Sequence, residues 1–136
     1  MPLLVGASLA LAVGLFASVV GLDRERGFYP TVTIVIALLY VLFAVMGAST
    51  QTLVLESLVA TAFLSAAALG FRSSLWIVVG ALAAHGIFDL IHGSVISNPG
   101  VPESWPHFCL TYDVVAAGYL AWLLKSGRLR AGRNSR

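Results

Sequence analysis

Long apolar runs broken by short polar punctuation dominate the chain. A helix needs about 20 apolar residues to cross the hydrocarbon core of a bilayer. Five stretches reach or approach that length, at about residues 2–22, 29–47, 51–70, 75–96 and 106–125. The first stops at the charged cluster Asp23-Arg24-Glu25-Arg26, and Pro30 suits the first turn of the second. Arg72, Ser73 and Ser74 part the third from the fourth. The turn-rich segment Ser97-Asn98-Pro99-Gly100-Val101-Pro102 cannot continue a helix and parts the fourth from the fifth. Only Ala48-Ser49-Thr50 separates the second run from the third, so four spans and five both stay open at that point. No Lys or Arg precedes the first run, which therefore reads as a retained helix and not as a signal peptide.

Composition excludes the alternatives to a membrane bundle. Of 136 residues, 59% are hydrophobic and 10% charged, against about 25% charged in soluble domains. Mean hydropathy is +0.93. The single cysteine forbids an internal disulfide framework. Nucleic-acid binding is not expected, because five of the eight basic residues sit in one short tail: Lys125, Arg128, Arg130, Arg133 and Arg136. Cytoplasmic loops collect Lys and Arg. With five spans and the tail at 126–136 inside, Arg24, Arg26 and Arg72 fall inside too, and the loops at 48–50 and 97–105 carry no basic residue. The sequence thus predicts one all-α domain over residues 1–125, a five-helix transmembrane bundle with its N-terminus out and C-terminus in. Trp105 suits the outer interface, and Trp76 and Trp122 the inner one. The expected location is a bacterial cell membrane, with membrane lipids as the immediate surroundings.

The polar residues inside these runs are few and specific. His85, Asp89 and His92 are spaced i, i+4, i+7 in the fourth span, within roughly 60° of one another on a helix face. Gly86 and Gly93 occupy a neighbouring stripe, where small residues admit another helix backbone. Glu56 and Asp113 stand about two turns into the third and fifth spans, at similar depth. No Lys or Arg on that side can pair with these three acids. An ionised carboxylate deep in a spanning helix costs roughly 2.5–3.5 kcal/mol on insertion scales. Protons, imidazolium or a bound cation must therefore neutralise them.

Two imidazoles with two or three carboxylates form a ligand set for zinc, iron or manganese. His85, Asp89, His92 and Asp113 are the expected ligands of a divalent ion. Glu56, and Asp113 where it does not ligate, are the candidate catalytic acids or bases. His107 and Cys109 lie near enough in sequence to be considered for the site. The reading that follows is a metal-dependent, hydrolase-like site acting on a lipid or other apolar small molecule. A cation- or proton-handling protein is the alternative; the mostly apolar inner halves of spans three to five weigh against a through-pathway. A structural subunit locked by a polar packing network is the third reading.

The run HGIFDLIH at 85–92, followed by NPGVPESWPHFC and TYD up to residue 113, resembles a family of small bacterial integral membrane proteins of uncharacterised function. The resemblance implies a multi-pass membrane protein and assigns no reaction. Membrane-embedded zinc hydrolases of the ceramidase and adiponectin-receptor type are similar in ligand chemistry alone. They have seven spans, and their HxxxH element differs from the HxxxDxxH here.

Overall fold

A computed structural model describes residues 1–132, so Arg133 and Arg136 of the basic tail lie outside the described residues. The chain forms five long helices: α1 (Pro2–Val20), α2 (Phe28–Gly47), α3 (Thr50–Arg72), α4 (Trp76–Val95) and α5 (Trp105–Lys125). All five are long and apolar enough to cross a membrane. A short 3-10 turn, Leu22–Arg24, links α1 to α2. Gly21 ends α1 in the left-handed region at φ 86°, its N–H returning to Ala17 O.

The break between α2 and α3 decides the span count. Ala48 and Ser49 both adopt extended backbone, at φ −115° and −75°. Ser49 then caps α3, its hydroxyl accepting the Thr52 N–H at 3.2 Å. Two extended residues and a serine cap suffice to reverse the chain, and the four-span alternative falls.

The helices neighbour one another in the order α1, α5, α4, α3, α2, with a lighter contact between α2 and α4. Glycine sets the closest approaches. A Cβ on Gly6 of α1 would overlap the Phe108 carbonyl of α5, and one on Gly86 of α4 would meet Leu110 O at 3.2 Å. Gly86 thus does what its stripe predicted. Gly93 does not, since nothing lies within 4 Å of its would-be Cβ. Helices α2 and α5 hardly touch. Between them and α1 runs an apolar cleft of about 640 Å³, walled by Leu9, Val32, Val35, Leu39, Phe108 and Cys109.

The described basic residues gather at one end of the bundle, with Arg26 as its tie. Its guanidinium donates to the carbonyls of Gly70, Phe71 and Ser73 at the close of α3, and to Arg130 and Ala131 of the tail. Terminal helix carbonyls have no partner within the helix and carry partial negative charge. Arg26→Ala should lower stability by about 2–3 kcal/mol, the scale of hydrogen bonds to a charged group. Thermal unfolding in detergent checks this. Arg26→Lys should recover only part, because a point charge cannot fork across two backbone segments.

Candidate metal centre

The polar residues lie at the other end, from roughly 4 Å (His92) to 15 Å (His85) inside the bundle at 1.5 Å per helical residue. His85 of α4 is the hub. Its Nδ1 lies 2.7 Å from Asp113 Oδ2 of α5 and 3.6 Å from Asp89 Oδ2, one turn on. Asp89 Oδ1 accepts a hydrogen bond from the Tyr40 hydroxyl of α2 at 2.6 Å. Asp89 and Asp113 are 1% and 0% exposed, so neither draws on solvent. Phe63 meets the His85 ring edge-on at 4.7 Å, and Phe88 packs beside it. Three helices thus place one imidazole, two carboxylates and a phenol in an aromatic-walled pocket.

His92 and Glu56, expected in the same set, form a separate pair. His92 Nε2 and Glu56 Oε1 share a hydrogen bond of 2.6 Å. Asn98, in the α4–α5 loop, donates to the same Glu56 oxygen at 3.0 Å and to the Tyr40 carbonyl at 3.2 Å. The loop is pressed onto α2 here. A Cβ on Gly100 would overlap the Phe43 carbonyl, so only glycine fits. Thr52 Oγ1 donates to Ser97 O at 2.9 Å, fastening the loop to α3. Tyr40 joins the two groups: its hydroxyl serves Asp89, while its ring stacks on His92 at 4.0 Å between centroids.

The donor set suits a divalent ion. One nitrogen of His85 and one oxygen each of Asp89 and Asp113 lie within 4.8 Å of one another. Ligands about 2.0–2.2 Å from a common zinc sit roughly 4 Å apart or less, so a small side-chain adjustment closes the triangle. Asp89 Oδ2 and Asp113 Oδ1 are buried and have no hydrogen-bond partner. Buried polar atoms are normally paired, and a cation could satisfy these two carboxylate oxygens. Charge arithmetic agrees: an imidazolium beside two carboxylates leaves one negative charge, whereas a divalent ion with neutral His85 leaves none. Every described Lys and Arg lies at the opposite end. Three protein ligands would leave a coordination position of a four-coordinate ion open.

His107 is exposed on the first turn of α5 and takes no part. Cys109 is buried, but its contribution is to the wall of the apolar cleft. Two residues that hydrogen-bond to the buried acids carried no specific motif in the sequence. Tyr40 lies on α2, two helices before its partners on α4, and Asn98 sits in a segment whose composition reads simply as a turn. The basic half is also less apolar than the sequence implied. Ser18 of α1 hydrogen-bonds both Asp23 and the Tyr119 hydroxyl.

Comparison with family models, with curated proteins and with solved structures finds no match. Fold and site define a class: a multi-pass helical membrane protein with a buried His/Asp/Asp group able to hold a metal.

Proposed function

We propose that the chain binds one divalent ion, zinc, iron or manganese, through His85, Asp89 and Asp113, and performs hydrolase-like chemistry on a lipid or other apolar small molecule. The two orphaned carboxylate oxygens beside His85 carry this reading. A bound divalent ion supplies Lewis acidity, bringing the pKa of a water near 7. Tyr40 fixes the Asp89 carboxylate by donating to its other oxygen, as partners of metal ligands commonly do. Glu56, held by His92 and Asn98, is the acid left to accept a proton from the reacting group. The apolar cleft supports an apolar substrate, since Cys109 in its wall stands one turn before Asp113 on α5. The gathering of basic residues at one end favours that end in the cytoplasm and the centre toward the outer leaflet.

Elemental analysis of protein purified without chelator tests the reading. About one ion per chain is expected, with loss of it in His85→Ala and in the near-isosteric Asp89→Asn. Folded but metal-free wild type overturns it. The second reading, cation or proton handling, draws on the Ser18–Asp23–Tyr119 group in the basic half. Measured ion flux in proteoliposomes would favour it.

A further inference from the structure

A second, smaller polar cavity opens at the basic end, far from the metal centre. It measures about 200 Å³ and is lined by Ser18, Asp23, Arg24, Leu123 and Arg128. Asp23 is only 6% exposed. Its Oδ2 accepts from the Ser18 hydroxyl, which lies 2.6 Å from the Tyr119 hydroxyl. Its Oδ1 takes no hydrogen bond among the described residues and is not sealed from the cavity.

The two arginines are placed by backbone turns. Gly21 and Gly127 are the two described residues with positive φ, at 86° and 74°. Such backbone is easy for glycine and strained for other residues. After Gly21 the chain turns so that the Arg24 side chain folds back over it, its Nε and Cζ 3.7 and 3.8 Å from a would-be Cβ. After Gly127 the Arg128 guanidinium comes to rest over the Trp122 ring, 4.8 Å from its centroid. Among the described residues, neither guanidinium has a carboxylate within ion-pair distance. Two exposed guanidiniums, without carboxylate partners among the described residues, therefore line a cavity whose floor holds one buried acid.

We propose that this cavity is a phospholipid headgroup site, with Arg24 and Arg128 on the phosphodiester and Asp23 on an ethanolamine ammonium. Guanidinium matches phosphate oxygens in pairs of parallel hydrogen bonds. Basic pockets between spanning helices bind lipid headgroups in this way. The depth is right, since the cavity sits at the ends of α1 and α5 beside Trp122, and the neighbouring Val19, Val20 and Leu22 are exposed for hydrocarbon to cover. Asp23 selects the source: a carboxylate beside the arginines repels a bare anion and attracts a headgroup that carries its own cation.

Native mass spectrometry of delipidated protein, titrated with phosphatidylethanolamine, phosphatidylglycerol or inorganic phosphate, tests the site. The wild type should retain one ethanolamine lipid, bound at least about tenfold more tightly than the glycerol lipid, a difference of about 1.4 kcal/mol. The double variant Arg24→Gln/Arg128→Gln should weaken both lipids by about tenfold or more. Asp23→Asn should bring the two lipids to within about twofold of each other. Millimolar phosphate should not compete. Unchanged lipid retention in the arginine double variant overturns the proposal, as does equal binding of both lipids by wild type. Competition by inorganic phosphate also overturns it, leaving a free anion as the occupant. The arginine arm decides if Asp23→Asn does not fold, because both of its substitutions lie at exposed positions. Metal content is not involved, so this result and that of the metal reading are independent.

Discussion

Adding a divalent metal to metal-stripped protein is expected to raise the thermal midpoint of the wild type and leave Asp113→Asn unmoved. A ligand that binds only the folded state stabilises it by RT ln(1 + [L]/Kd), about 4 kcal/mol at a thousandfold excess over Kd. The sign of the metal-free comparison is equally informative. Asp113 is fully buried and carries an unpartnered oxygen. The amide of the Asp113→Asn variant keeps an oxygen to accept from His85 and removes a charge that no cation offsets. Stripped Asp113→Asn should therefore equal or exceed stripped wild type in stability, because an uncompensated buried charge costs several kcal/mol. A structural network predicts the reverse: metal without effect on wild type, and a variant destabilised because a neutral amide holds His85 less strongly than a carboxylate does. Thermal unfolding of both proteins with and without chelator distinguishes the two.

The spans were legible because hydropathy reads directly as burial in lipid, and every helix ends within two residues of its expected limit. The short connector at 48–49 was harder, since a two-residue reversal leaves almost no polar mark. At the site, the residue types were legible and their grouping was not. An angular projection puts His85 and His92 on one face but ignores the rise of about 10 Å between them. Each takes its own carboxylate from a different helix, His85 from α5 and His92 from α3. Those choices depend on helix neighbours, which periodicity does not encode. The same blindness hid Tyr40 and Asn98, whose partners stand 49 and 42 residues away. Arg26, read only as a marker of sidedness, turned out to tie two chain segments together. Its role needed the position of the tail.

Removing either member of the Glu56–His92 pair is expected to cost about 3–5 kcal/mol, the scale for stranding a buried charged partner. Both are nearly inaccessible, at 1% and 2% exposure. Glu56 already has one buried oxygen without a hydrogen bond, so losing His92 leaves it only Asn98. Replacing both, as Glu56→Met with His92→Phe, should restore most of the loss. The phenyl ring can keep the stack on Tyr40, and Asn98 still donates to the Tyr40 carbonyl. Denaturation midpoints of the two single variants and the double variant give the coupling directly, and additive losses would show that the two side chains act independently. Metal content of the same proteins settles the place of His92. If His85, Asp89 and Asp113 form the site, His92→Phe keeps its ion. If the ion is lost while the fold is retained, the histidine two turns along α4 belongs to the ligand set, as the sequence spacing predicted.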